Sequence, residues 1–393
     1  MKKLIIILLA VCLVFTGVIG FFMAGNKASE EASGDIAEKP EMPQIAAIDY
    51  DAVFALHDPK EVVAVIDGKD LLWENYFYNI FSQARQTYEY FAAMANYGMP
   101  VSWSDAANES GDSFAKYSVD MAEQTLLQLA AINGFAEKNN VVLNDEIKES
   151  MEKWKQEQIK NICGEDADEE AFAEALKEIY MSPEMFDEMN EINHRFQQSY
   201  VQIYGNNGEK YSDEDVFKFM EDNNYIHANH ILISTFDPET NEDLDEAAMN
   251  EKKVKAEEIS AELREIKDHD KLIERFGELK DEFCEDKGKT IYPDGMSFTP
   301  GTMVQEFEDG CKELKEFEVS EPVKSQFGYH VIIRLPYEAD AIIGYTQNGT
   351  ALTVRGTAAN VELNNRFQKY LDNISIEYAE GFEIPNLLDY IVK

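Results

Sequence analysis

The sequence predicts an α+β protein: an apolar N-terminal helix, a mostly helical region, then a compact β-α-α-β-α-β module. Three observations carry this reading. Across residues 70–222 apolar side chains recur near the 3.6-residue period of a helix. At Tyr225 the texture changes to a short β-branched run, IHANHILIST, and a second such run, YHVIIRLP, closes the module. At the start of the chain, Lys2 and Lys3 precede an uncharged apolar stretch from Leu4 to Ala24.

That first stretch is expected to meet a membrane. About twenty consecutive apolar residues span a bilayer as a helix. The flanking lysines hold their end in the cytoplasm, which sends the rest of the chain outside. A signal peptide has a shorter apolar region, roughly 7–15 residues. Residues 1–25 therefore read as a single-pass anchor in the cell membrane. A cleaved signal, or a lipid on Cys12 in LLAVC, are the alternatives. Residues 26–58, polar, acidic and proline-containing at their start, read as a flexible linker.

Composition narrows the function. The 393 residues, 45% of them hydrophobic, supply more than one modest core. The 76 acidic and 35 basic residues give a formal net charge of −41, a surface that repels nucleic acid and anionic lipid headgroups. Beyond Cys12, Cys163, Cys284 and Cys311 show no metal-ligand spacing and no disulfide framework. A Cys284–Cys311 bond is conceivable, but free thiols fit better. No Walker loop, dinucleotide fingerprint or nucleophile elbow occurs.

The elements follow in order. VVAVIDGKDLLW (62–73) has two apolar runs about an Asp67-Gly68 turn, a hairpin signal. Tyr76, Phe77, Ile80, Phe81 and Tyr88 mark a helix, and Met121, Leu126, Leu129 and Ile132 mark the next. Asn144 before Asp145 and Glu146 caps another, Pro183 begins a fourth, and Ser212-x-x-Asp215 opens one more. The many aromatics of residues 59–224 read first as helix–helix core, with a few available to line a groove for extended polypeptide. In the module, Asp245–Asp268 and Lys271–Phe283 are helices, and a short one lies near Met303–Glu308.

Four stretches within the module stand out: Ala228-Asn229-His230-Ile231-Leu232, then Phe276 to Asp286 (FGELKDEFCED), then Gly301-Thr302-Met303-Val304-Gln305-Glu306-Phe307-Glu308, then Gly328-Tyr329-His330-Val331-Ile332. In that order they resemble the parvulin family of peptidyl-prolyl isomerases, whose pattern runs A-x-H-I-L, F-x-x-L-A-x-x-(Y/F)-S-x-D, G-x-M-x-x-x-F-E and G-(Y/I)-H-(I/V)-I. The wider layout resembles extracytoplasmic foldases of the PrsA and SurA type, with Val62–Gly68 matching their V-V-A-x-V-N-G segment except for Asp67. On this resemblance residues 59–224 are a helical chaperone domain, 225–337 the isomerase, and 338–393 a C-terminal segment with a helix that packs back on the chaperone part.

The resemblance implies that His230 and His330 lie side by side on adjacent strands as a hydrogen-bonded pair. It implies that Ser325 joins that network and that Asp286 faces the substrate carbonyl. Met303 and Phe307 would form the cup for the proline ring, with Phe298 close by. Each has a plainer reading: a strand histidine is more often a satisfied core residue, and Met303 and Phe307 would otherwise be core. His227 reads as incidental. The chain departs from the family in three places. Tyr292-Pro293-Asp294-Gly295-Met296-Ser297-Phe298 replaces a G-G-D-L-G-x-F loop, so that a cup contact comes from Met296 or is missing. Lys312 stands near the cup where an apolar residue is usual. Phe317 stands where glycine is common.

The function so implied is X-Pro isomerisation in unfolded or partly folded exported polypeptides, with no cofactor and no metal. The alternative is a holdase with an inactive parvulin domain; a third class is an envelope adaptor with one fixed partner. A homodimer stays open.

Overall fold

The computed structural model describes residues 45–237, 240, 242–346 and 349–392. The apolar run Leu4–Ala24 and its expected anchor lie outside the described residues. Among the described residues no helix is long and apolar enough to cross a membrane. The chain divides into two compact units, one of residues up to 202 together with 364 onward, the other Ile203–Leu363.

The first unit is helical around a small sheet. Strands Val62–Ile66 and Lys69–Leu72 pair antiparallel. Asp67 and Gly68 both take left-handed backbone, φ 54° and 74°. That is the two-residue turn whose twist suits a hairpin, and it is why Asp-Gly stands there. Ile376–Tyr378 adds a third strand on the other side of Val62–Ile66. Helix Trp73–Asn96 buries Trp73, Tyr76, Phe77 and Ile80; Phe77 packs on Phe54 and Tyr180, and the Tyr76 hydroxyl donates to Glu123 of helix Phe114–Lys138. The Asn144 side chain accepts from the Ile147 amide and starts helix Asp145–Cys163. The C-terminal segment returns to this unit, where Phe367 meets Phe135 and Phe196 edge-on.

The second unit holds a four-stranded antiparallel sheet in the order Met296–Phe298, Ile226–Ser234, Gly328–Arg334, Val323–Ser325. Ile226–Ser234 is buried almost throughout because both faces are covered. Ile231 and Ile233 pack on Ala256, Ile259 and Leu263 of helix Glu246–Glu265 and on Leu272, Phe276 and Leu279 of helix His269–Phe283. On the other face Ile226, Ala228 and Ile332 pack with Phe298, Phe307 and Cys311. Burial on both faces explains why Ile231-Leu232-Ile233 reads as a continuous apolar run rather than an alternating one. Asp245 and Asp268 cap the two helices through their side chains.

Two backbone details set the strand geometry. Gly328 has φ 141°, and a Cβ there would stand 2.3 Å from the Ile233 carbonyl oxygen, so the closing strand can approach its neighbour only through glycine. Phe317 takes the left-handed conformation, φ 62°, that explains the glycine usual at that place; its ring stacks on His269.

The unit extends beyond the expected module at both ends. Helix Asp213–Asp222 precedes it, and a hairpin, Ile342–Tyr345 with Ala351–Thr353, follows. Arg355, 9% exposed, ties the two additions together. Its guanidinium donates to both carboxylate oxygens of Asp340, to Asp213 and to the Tyr211 carbonyl. The described cysteines Cys163, Cys284 and Cys311 are free thiols.

Candidate active site

The sheet register brings the two histidines together. His230 lies opposite Ile332, and His330 opposite Leu232, which makes the histidines diagonal neighbours on one face. Their ring centroids are 5.2 Å apart with planes at 87°. The expected hydrogen bond between them is absent, and this corrects the implied arrangement. Each Nε2 is engaged elsewhere: His230 with Asp286 Oδ2 at 2.9 Å, His330 with Ser325 Oγ at 2.7 Å. Both Nδ1 atoms lack a partner. The rings meet edge to face, so contact rather than a shared proton couples them.

Asp286 is held by its surroundings. Its Oδ2 faces His230 and its Oδ1 accepts from the Gly288 amide at 2.7 Å, which caps the turn Lys287–Thr290. The His230 hydrogen bond, with the Gly288 amide behind it, lowers its pKa to about 2. An ionised carboxylate accepts only, so the His230 proton sits on Nε2. Burial, reinforced by the neighbouring His230, lowers the His330 pKa to about 4.

That shift predicts a pH dependence of stability. An unfolded histidine binds its proton near pH 6.5, whereas folded His330 does so only near pH 4. Between those values the unfolded chain holds more protons, so stability falls as pH falls. The window of about 2.5 pH units is worth about 3 kcal/mol. Denaturant unfolding at pH 7 and pH 4.5 should show most of that loss in the wild type and much less in His330→Asn. Equal losses in both would remove His330 as the cause.

Phe307 is the centre of the site. It is 3% exposed, and its ring lies 5.2 Å from His230, 5.4 Å from His330 and 5.9 Å from Phe298. Beyond it opens a cavity of about 280 Å³ lined by Tyr225, Tyr292, Met296, Phe298, Met303 and Ile343, among others. Three of the four expected cup residues therefore line one space; the fourth, Phe307, is not in its lining but packs on Phe298, which is, and on both histidines. Met303 is positioned by a buried carboxylate. Glu308 Oε1 accepts from the amides of Gly301, Thr302 and Met303 at 2.8–3.0 Å, closing the turn that presents the methionine.

Two of the departures resolve on inspection. Met296 does reach the cavity. Lys312 does not approach it: its side chain is 43% exposed and pairs with Asp309 and Glu308, while Cys311 fills the core beside Phe307.

The sequence reading passed over Lys280, which occupies the alanine position of the family pattern. Only 5% exposed, its ammonium donates to Asn229 Oδ1 at 2.8 Å and to the carbonyls of Tyr292 and Pro293 at 2.7 and 2.9 Å. Asn229 also accepts from the His230 amide and donates to the Pro293 carbonyl. The available signal was spacing, since Lys280 follows Phe276 by four residues on a helix whose buried face carries Phe276 and Leu279. His227, read as incidental, is buried opposite Ser297 on the neighbouring strand.

One unit thus carries a four-stranded antiparallel sheet with two adjacent histidines on one face, an ionised aspartate and a cavity. Residues 215–334 match the family model for the PPIC-type PPIase domain. Relatives of the chain include foldase protein PrsA 1 of Bacillus cereus, 57% identical over 58 residues, 14% of this chain and 20% of that one. They also include foldase protein PrsA of Clostridium tetani, 32% identical over 137 residues, 34% of this chain and 32% of that one. Chaperone SurA of Nitrosococcus oceani is 29% identical over 105 residues, 26% of this chain and 25% of that one. The chain thus spans between about a seventh and a third of the length of the curated relatives it matches. Among solved structures, PrsA from Bacillus subtilis is 19% identical, with 68% of this chain and 89% of that one covered and a TM-score of 0.24.

Proposed function

We propose that this chain is a membrane-tethered, extracytoplasmic foldase. Its isomerase domain rotates X-Pro bonds in exported polypeptides, and its helical unit holds the partly folded client. The observation that carries the reading is the ionised Asp286 fixed by His230, with Phe307 packed between that histidine and Phe298, a wall of the cavity. The apolar run Leu4–Ala24 behind two lysines supports the tether.

The chemistry asks for little. Resonance sets a barrier of about 18–20 kcal/mol to rotation about the amide, and no covalent bond needs to form. In the planar amide negative charge collects on the carbonyl oxygen; in the twisted amide resonance is lost and that charge falls. A fixed carboxylate facing the oxygen disfavours the planar form more than the twisted one. A tight apolar seat for the ring keeps water from stabilising the planar form. Both effects bind the transition state better than the ground state, which is the condition for acceleration. Asp286 supplies the charge in this account, Met303 and Phe298 the seat, and His230 and His330 the frame that holds them.

The test is cis/trans isomerisation of a short X-Pro peptide by the full chain, beside an Asp286→Ala, Met303→Ala double variant. Acceleration in the wild type that drops at least tenfold in the double variant is expected. No acceleration by a folded wild type would refute the enzyme and leave client holding as its activity.

A further inference from the structure

We propose that Ile343, on a hairpin beyond the isomerase domain, completes a second compartment of the cavity and makes the enzyme select prolines that have a bulky apolar or aromatic neighbour. This rests on the isomerase reading and adds the substrate class.

Size is the first ground. A cavity of about 150 Å³ is enough to hold benzene. The cavity here, about 280 Å³, has room for a proline ring and a second side chain of ring size. Its lining is the second ground. In a chain that is 28% charged, no charged residue lines it, and its polar edge is confined to Ser297, Thr299 and Thr302. Met296 and Met303 supply flexible, polarisable walls that adapt to side chains of different shape. Tyr225 and Tyr292 offer aromatic surface.

The wall's origin is the third ground. The family match ends at residue 334, whereas Ile343 lies on strand Ile342–Tyr345, outside it. That strand is not a loose appendage. It pairs with Ala351–Thr353, the Val354 amide donates to the Ala341 carbonyl, and Arg355 locks the base of the hairpin to Asp340, Asp213 and the Tyr211 carbonyl. A wall built this firmly excludes as well as accepts. It gives apolar contact to a large neighbour and nothing to a small or charged one, and discrimination between substrates is the difference between those two.

The experiment uses the full chain and short peptides with phenylalanine, leucine, alanine or glutamate on either side of the proline. Isomerisation gives kcat/KM, and fluorescence anisotropy of labelled peptides gives binding. The wild type should favour a phenylalanine or leucine neighbour over alanine by about tenfold, with glutamate poorest. Ile343→Ala should reduce the phenylalanine-to-alanine ratio to about twofold, and Ile343→Phe, which fills the compartment, should invert it. The ratio is read within each variant, so a general loss of activity does not enter. Should Ile343→Ala fail to fold, Ile343→Phe carries the test. A wild-type ratio near one, or a ratio that neither variant changes, overturns the proposal. If no peptide is isomerised, the enzyme reading falls; a binding preference that still follows Ile343 would keep the compartment.

Discussion

Phe307→Ala should cost the isomerase domain about 3–5 kcal/mol and lower kcat/KM on an X-Pro peptide by more than tenfold. The first figure follows from burial: truncating a fully buried phenylalanine loses its transfer free energy and leaves a cavity. Phe307 is packed against Phe298, Cys311 and both active-site histidines, and the sheet behind it cannot collapse inward without breaking register. The second figure follows from position. The ring packs on both histidines, one of which fixes Asp286, and on Phe298, which lines the cavity, so its loss admits water among them. Water screens the carboxylate and solvates the planar amide, which removes the preference for the twisted form. Phe307→Leu keeps most of the volume and should cost about 1 kcal/mol while retaining much of the activity. Denaturant melts with peptide kinetics on the same preparations check both figures. An alanine variant that loses under 1 kcal/mol and remains active would mean that Phe307 supports neither the core nor the site.

The main features of this domain are legible in its sequence because they follow from spacing. His230 and His330 stand on apolar strands that must be central, and antiparallel pairing of central strands brings their residues together. Met303 and Phe307 reach one cluster, although only Phe307 is on helix Gln305–Lys312 and Met303 lies in the turn before it. What spacing does not encode is the direction in which a side chain points its polar atoms. The sequence cannot show that the histidines turn their Nε2 atoms apart, because that depends on ring rotation set by Asp286 and Ser325. Nor can it show that Lys312 leans back to acids three and four residues behind it. Three-residue strands such as Met296–Phe298 and Val323–Ser325 carry too few residues for a period. The membership of helix Asp213–Asp222 and of the Ile343 hairpin in the second unit is set by Arg355, a contact between residues more than 140 apart in the chain.

Lys280 is where local sequence misleads most, and its replacement should separate stability from binding. A lysine in place of a small residue on a buried helix face looks like a defect. Burial does lower its pKa, the sign of a cation held out of water. Three oxygens answer for it, from Asn229, Tyr292 and Pro293, and they join the strand bearing His230 to the loop that carries Tyr292, Met296 and Phe298 into the cavity. Replacing a buried charge by an apolar side chain of similar volume is often nearly neutral, because the desolvation cost disappears with the charge. Lys280→Met should therefore leave the melting temperature within a few degrees. The loop tells a different story. With the ammonium gone, the Tyr292 carbonyl keeps only the long bond from the Gly295 amide at 3.4 Å, and Pro293 only the weaker bond from Asn229. KM should rise about tenfold with kcat little changed, since the cavity wall is displaced while Asp286 and the histidines stay in place. Lys280→Ala adds an unfilled space to the same loss and should cost about 2–4 kcal/mol as well. A methionine variant with wild-type KM would reduce Lys280 to a packing residue. One that loses as much stability as the alanine variant would show the charge to be a support of the fold, and the loop only its passenger.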